Sequence, residues 1–146
     1  MNILIWIMVI LICIVIGKSI IDFFMGDMTK RVVLKESRFS TEIFITLLIV
    51  YITMIIGFGL IYFLLSIQAT IFMEHDEIKN TTILGLLNHS FYFSGVTLLT
   101  VGYGDIVPIG LGRWIAVLQG LIGYLLPTAF VLRLVIASER GKDKDN

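Results

Sequence analysis

A long uncharged run in the middle of the chain restricts its fold more than any other feature. From Ile43 to Ile67 no residue carries a charge, and most are apolar. As an α-helix this run would be roughly 36 Å long, and about 20 residues suffice to cross the hydrocarbon of a bilayer. Hydrophobic residues make up 58% of the chain and charged residues only 15%, against about 25% charged residues in soluble domains. The sequence therefore predicts an all-α membrane protein.

A second run of the same kind lies near the C-terminal end. Trp114 to Leu132 is uncharged and is bracketed by Arg113 and Arg133. The two arginines are separated by roughly 30 Å along a helix. Their flexible stems would let both charged ends reach opposite headgroup layers. We therefore predict a second membrane-spanning helix here.

The N-terminal region, residues 1–26, is strongly apolar but contains Lys18 and Asp22. These two residues are four positions apart, so they share one helical face and can pair. A cleaved signal peptide fits poorly, because no basic residue precedes the apolar run and no A-x-A-like cleavage site follows it. We predict a retained membrane helix, with an interfacial helix as the alternative.

The segments between these runs differ in charge. The linker at 27–41 holds Lys30, Arg31, Lys35 and Arg38, and the short tail at 139–146 holds Arg140, Lys142 and Lys144. The segment that follows the middle run is mainly acidic. Because basic segments stay on the cytoplasmic side, we expect the linker and the C-terminus to be cytoplasmic. The N-terminus would then lie outside if the first helix spans the membrane.

Several function classes are disfavoured by what the sequence contains. Lys and Arg together number 11, as do Asp and Glu, so nucleic-acid binding has no electrostatic support. Cys13 is the single cysteine, which excludes an intrachain disulfide. The sequence shows no catalytic motif and no membrane helix with an arginine at every third position. We expect neither an enzyme, nor a cofactor, nor a voltage sensor.

The segment between the two long runs is of another kind. Ile83 to Leu98 is predicted as a helix with Thr81 or Thr82 as its N-cap, and at about 23 Å it is short for a full crossing. It is followed by TVGYGD, where Gly102 and Gly104 permit a positive φ. Non-helical backbone at membrane depth is tolerated only where it is buried in protein or lines a watery path. We therefore expect a re-entrant segment that faces a pore.

Thr97 to Asp105 reads TLLTVGYGD, which resembles the selectivity filter signature TxxTVGYGD of potassium channels. The order of outer helix, re-entrant pore helix, filter and inner helix resembles the bacterial two-transmembrane potassium channels. The resemblance extends roughly from Thr41 to Ala137. It implies a potassium channel pore domain at 42–138, assembled as a homotetramer from this chain and three further copies in the cell membrane.

The resemblance also implies how the ion is held. K⁺ is the permeant ion, and it exchanges its water shell for rings of oxygen atoms contributed by the four chains. The residues implied to supply these oxygens as the metal site are Thr100, Val101, Gly102 and Tyr103, with Gly104 completing the filter. The side chains of Val101 and Tyr103 would point away from the ion.

Four residues of the pore helix are implied to support the filter. Tyr92 and Phe93 match the aromatic positions of the family, and Val96 and Thr97 follow them. Asp105 would lie at the outer mouth, where many family members pair it with a glutamate of the pore helix. Val96 occupies that glutamate position here and cannot pair, a departure that bears on filter rigidity and inactivation rather than on selectivity.

The inner helix contains two weak points close together. Gly123 aligns with the glycine hinge of the family, and Pro127 has no amide hydrogen to donate to the Gly123 carbonyl. We predict a kink here that acts as a gating hinge. The alternative is a static bend, or close packing against Gly57 and Gly59 of the outer helix. Gln119 of the same helix is expected to hydrogen-bond a neighbouring helix.

Three functions agree with these features. The leading hypothesis is a K⁺-selective channel that conducts passively. A weakly selective cation channel is disfavoured by the intact Tyr103, since the complete filter supplies the full stack of oxygen rings. A non-conducting regulatory membrane subunit would be favoured by a degenerate filter, and this filter is intact.

Overall fold

The computed structural model describes residues 2–25, 39–69, 71–74 and 82–142. These residues form mainly helices, in the order α1 (Asn2–Met25), α2 (Phe39–Gln68), β1 (Phe72–Glu74), α3 (Ile83–Leu98), β2 (Ile106–Pro108) and α4 (Leu111–Lys142). Most of the basic linker predicted at 27–41, and the last four residues of the tail, lie outside the described residues.

The helix α1 and parts of α2 and α4 are long and apolar enough to cross a membrane, over Ile3–Phe23, Phe44–Gln68 and Leu111–Leu132. These ranges agree with the three runs found in the sequence, because uncharged apolar residues fill them almost without interruption. The shorter α3 begins where predicted. The Thr82 side-chain oxygen accepts a hydrogen bond from the amide of Gly85 at 3.3 Å, which makes Thr82 the N-cap.

α1 packs against α2 in the antiparallel direction. Ile5 and Val9, near the start of α1, cluster with Leu64 near the end of α2. Further along α1, Ile16 lies against Gly57, where an added Cβ would be 2.7 Å from the Ile16 Cδ1 atom. The close approach of the two helices at this point therefore depends on the missing side chain of Gly57.

The core lies where α2 meets α3 and α4. Three aromatic rings, from Tyr62 of α2, Phe72 of β1 and Phe93 of α3, pack together with centroid separations of 5.0 to 5.6 Å. Edge-to-face and tilted pairs of this kind stabilise by about 0.5–1.5 kcal/mol beyond the area they bury. These ring contacts fix the position of α3 along the axis of α2.

A short antiparallel ribbon joins the segment after α2 to the segment after TVGYGD. Its register pairs Phe72 with Pro108, Met73 with Val107 and Glu74 with Ile106. A two-stranded ribbon is marginal by itself. Here Phe72 packs into the aromatic cluster and Ile106 is buried in the core, so the ribbon is held by the helices beneath it.

The contact between α1 and α2 can be tested at Gly57. The substitution Gly57→Leu should lower the free energy of unfolding by about 1–3 kcal/mol, because the new side chain overlaps Ile16. The measurement is the thermal midpoint of the protein purified in detergent. Gly17→Leu is the matched control, since a Cβ at Gly17 meets no atom within 4 Å. An equal loss in both variants would contradict the packing described.

Candidate functional site

α3 ends in a Schellman motif that turns the chain into the TVGYGD segment. The amide of Val101 donates to the carbonyl of Val96 at 2.9 Å, and the amide of Thr100 donates to the carbonyl of Thr97 at 3.1 Å. The Gly102 amide also donates to the Val96 carbonyl, at 3.2 Å. Val96 and Thr97 therefore support the segment through their carbonyl groups, which satisfy amides that follow the helix.

Thr100 occupies the left-handed position of this motif, with a φ of 57°. Glycine is the usual residue there, and a β-branched residue is strained in this conformation by roughly 1–3 kcal/mol. Among the non-glycine residues that the structure describes, it alone has a positive φ. The residue type gave no sign of this conformation, so the sequence could not have predicted it.

The sign of φ alternates through the rest of the segment. Gly102 has a φ of 55° and Gly104 a φ of 77°, so both use the positive φ that the sequence predicted they would permit. Residues 100–104 are all exposed on the single chain, and Asp105 is partly buried. In particular, 71% of Tyr103 and 50% of Val101 are exposed. The TVGYG backbone is thus ordered by α3 at one end and open to the surroundings along its length.

Asp105 is anchored to α3 from the other end of the segment. The Tyr92 hydroxyl donates to Asp105 Oδ2 at 2.7 Å, and the amide of Ile106 donates to Asp105 Oδ1 at 3.1 Å. The hydrogen bond to Asp105, partial desolvation and the negative charge of the carboxylate raise the pKa of Tyr92 above its ordinary value. The phenol therefore stays protonated and keeps donating.

This anchor changes one inference drawn from the sequence. Val96 does not offer a polar side chain to Asp105, as predicted, but Asp105 still has a partner on α3. Tyr92 lies one helical turn before Val96 on the same face, and its longer side chain carries the donor. The two positions are four residues apart in the sequence, and this spacing was the signal that could have identified Tyr92 as the partner of Asp105.

Phe93 lies in the aromatic cluster with Tyr62 and Phe72, inside its own chain. Tyr92 and Phe93 are adjacent but have different surroundings, since Tyr92 contacts Asp105 and Phe93 lies in the core. Both support the segment, since one holds Asp105 and the other fixes α3 against α2.

A buried polar cluster connects the three helices around the segment. Gln119 of α4 is fully buried, and its Nε2 donates to the backbone oxygen of Ser94 at 2.9 Å and to the Ser94 Oγ at 2.8 Å. Tyr62 donates to Gln119 Oε1 at 2.9 Å, and the Ser94 hydroxyl donates to the Ile55 carbonyl at 2.9 Å. The prediction that Gln119 bonds a neighbouring helix is confirmed.

Every donor of this cluster has an acceptor, which matters because a buried group left unpaired costs about 1–3 kcal/mol. A hydrophobic residue at 119 would leave the Tyr62 hydroxyl without its acceptor. The cluster holds α3 in one orientation relative to both α2 and α4, four residues before the end of α3 at Leu98.

Gly123 of α4 touches the end of α3. A Cβ at Gly123 would overlap the carbonyl oxygen of Leu98 and lie 2.9 Å from its carbonyl carbon. The alternative of close packing is thus correct for Gly123, but the expected partners are wrong. Gly57 faces Ile16 of α1, and Gly59 faces Phe91 of α3.

Pro127 lies inside α4, which continues as a single helix from Leu111 to Lys142. The predicted kink and hinge at Gly123 and Pro127 stay predictions. Pro127 has no amide hydrogen to donate to the Gly123 carbonyl. That carbonyl accepts a hydrogen bond from the Tyr51 hydroxyl of α2 at 3.2 Å. The sequence gave no indication of this contact.

Residues 50–140 match the protein family described as "Ion channel". The chain belongs to this family. The matched range begins within α2 and ends within α4, so it contains α3 and the TVGYGD segment. Proteins of this family conduct ions across membranes and use no cofactor. The membrane and ion channel parts of the sequence-based prediction are confirmed.

Two curated relatives are similar to part of this chain. Protein LctB of Bacillus caldotenax is 45% identical over 86 residues, which cover 58% of this chain and 64% of that protein. Protein LctB of Geobacillus stearothermophilus is 43% identical over 91 residues, covering 62% of this chain and 68% of that protein. The chain thus spans just under two thirds of the first relative's length. No solved structure matches the chain.

The contact between α4 and the end of α3 can be tested at Gly123. We expect Gly123→Ala to lower the thermal midpoint by several degrees, since the new methyl group meets backbone atoms that cannot rotate away. Gly120→Ala is the matched control on the same helix, where a Cβ meets no atom within 4 Å. Thermal unfolding in detergent measures both, and a Gly123→Ala variant as stable as Gly120→Ala would refute the contact.

Proposed function

We propose that this protein is a K⁺-selective channel in the cell membrane, in which four copies surround a central path. The observation that carries the proposal is the backbone of Thr100 to Gly104, exposed and with a φ that alternates in sign. When φ alternates in sign, successive peptide planes can keep the same orientation, so that successive carbonyl oxygens point to one side, as in a carbonyl-lined filter.

One side lined with carbonyl oxygens suits a dehydrated cation. K⁺ must find oxygens that replace its water shell, and a single chain supplies too few around an axis. Four chains supply stacked rings of oxygen at Thr100, Val101, Gly102 and Tyr103. Ions in neighbouring rings repel each other, so binding does not prevent exit.

Thr100 supports this assignment through its strain. Glycine would relieve the positive φ at this position, yet the chain carries a hydroxyl there. A threonine hydroxyl is an oxygen ligand that glycine lacks. We assign this oxygen to the inner end of the filter, where it would complete the ring below the carbonyls.

The end of α3 strengthens the attraction for cations. The helix ends at Leu98, just before the filter, so its C-terminal partial negative charge lies near the path. Because anions are repelled by the same charge, this arrangement favours cations before selectivity among them is considered.

Exposed apolar groups on the single chain fit the proposed assembly. Tyr103 and Val101 are open, and on α4 the side chains of Tyr124, Pro127 and Val131 are exposed on one helical face. This face would line the inner part of the path, while other exposed apolar residues of α4 contact further copies or lipid. Gly123 and Pro127 would form the hinge that opens it.

Each region of the chain has a place in the proposed channel. Residues 42–138 form the pore domain, α1 braces α2 from the lipid side, and the basic linker at 27–41 lies in the cytoplasm with the tail at 139–146. The antiparallel contact between α1 and α2 supports opposite crossings of these two helices.

The deciding experiment measures ion flux into liposomes that contain only this protein. Rapid K⁺ uptake with exclusion of Na⁺ supports the proposal. Equal uptake of both ions would identify a weakly selective cation channel, and absence of flux from correctly assembled protein would identify a non-conducting subunit. Chemical cross-linking in the same membranes reports whether four copies assemble.

The filter assignment is tested separately by Gly102→Ala. A Cβ there meets no atom within 4 Å, but the φ of 55° is unfavourable for alanine. We expect lost or unselective conduction with unchanged assembly. Gly95→Ala is the control, because Gly95 lies in α3 and a Cβ there also meets no atom within 4 Å. Full K⁺ selectivity in Gly102→Ala would place the ion path elsewhere.

A further inference from the structure

The carbonyl of Gly123 is paired in an unusual way. In a regular α-helix the carbonyl of one residue accepts from the amide four residues later. For Gly123 that residue is Pro127, which has no amide hydrogen. The Tyr51 hydroxyl of α2 donates to this carbonyl at 3.2 Å, so a side chain of another helix replaces the missing backbone donor.

This replacement matters because α2 and α4 are apolar enough to cross a membrane. In hydrocarbon no water is present to satisfy a freed carbonyl group, and proline is tolerated in such helices when a neighbouring group does so. The hydroxyl of Thr128, next to Pro127, is engaged with the Tyr124 carbonyl at 3.4 Å. Tyr51 therefore supplies the donor for the Gly123 carbonyl, which the Thr128 hydroxyl does not supply.

The location gives the bond a role beyond stability. Gly123 touches the backbone of Leu98 at the end of α3, and Thr100 follows two residues later. At this one point α2 is bonded to α4 while α4 rests on the helix that leads into the filter. A bend of α4 at Pro127 would change the distance between the Gly123 carbonyl and the Tyr51 hydroxyl.

We propose that Tyr51 is a positioning residue for the gate, whose hydroxyl stabilises the described conformation of α4 by bonding the Gly123 carbonyl freed by Pro127. The proposal rests on the proposed channel function. Loss of the hydroxyl shifts the balance between open and closed channels, since the carbonyl no longer has a partner in this conformation.

The test is a double-mutant cycle with Tyr51→Phe and Pro127→Ala, read as open probability in planar bilayers. In the presence of Pro127, Tyr51→Phe should change the ratio of open to closed channels by roughly 2- to 12-fold, the effect of one neutral hydrogen bond. In the Pro127→Ala background the alanine amide donates to Gly123, so the same substitution should have an effect below about 2-fold.

The matched control is Thr53→Val on the same helix. Its hydroxyl bonds the Ile49 carbonyl of α2 itself at 2.8 Å, so its removal should leave the open probability unchanged. An equal effect of Tyr51→Phe in both backgrounds would overturn the proposal. So would an equal effect of Thr53→Val.

Failure of the channel function itself gives a different result. If the wild-type protein conducts no ions, the same variants are compared by thermal unfolding in detergent. A lower midpoint for Tyr51→Phe with Pro127 present, and no lowering in the Pro127→Ala background, still supports the bond between Tyr51 and Gly123. Equal lowering in both backgrounds overturns it.

Discussion

Backbone groups that leave regular helical pairing inside an apolar protein must find a partner within it, and the arrangement of this chain depends on that requirement. Two places with such groups lie next to each other in the fold. At the end of α3 the carbonyls of Val96 and Thr97 accept from the amides that begin TVGYGD. In α4 the Gly123 carbonyl accepts from Tyr51. The irregular backbone at these two places is therefore tolerated because each freed group has a partner within the chain.

Side chains then fix the helices in relation to these places. The cluster of Gln119, Ser94 and Tyr62 is buried and satisfied, and it orients α3 from both sides. Beyond the segment, Tyr92 in the middle of the same helix holds Asp105. Since both ends of TVGYGD are tied to α3, that helix acts as the frame on which the proposed filter is built.

Much of the fold could be predicted because local signals were strong. The uncharged runs predicted α2 and most of α4, and Thr82 with the apolar residues after it predicted the start of α3. The two glycines predicted a positive φ. The ribbon of β1 and β2 was not predictable, because each strand has three residues and carries no periodic pattern. The register of this ribbon depends on how Phe72 and Ile106 pack against the helices.

The candidate site was predicted in its residues but not in all its contacts. The pairing of Tyr92 with Asp105 connects a helix to the far side of an irregular segment, and that geometry is absent from sequence spacing. The strain at Thr100 could not be foreseen, since threonine disfavours the conformation it adopts. The bond from Tyr51 to Gly123 depends on how α2 and α4 cross, which only the folded chain determines.

The position of α1 has a consequence for the environment of the protein. Its packing contacts with Leu64 and Gly57 are made with α2, while much of its remaining surface is exposed and apolar. A change in bilayer thickness that tilts α1 would therefore be passed to α2, and from there to the proposed ion path. The helix α2 carries both Tyr51 and Tyr62, whose hydroxyls bond Gly123 and Gln119 of α4, so bilayer thickness would act on α4 through these two contacts.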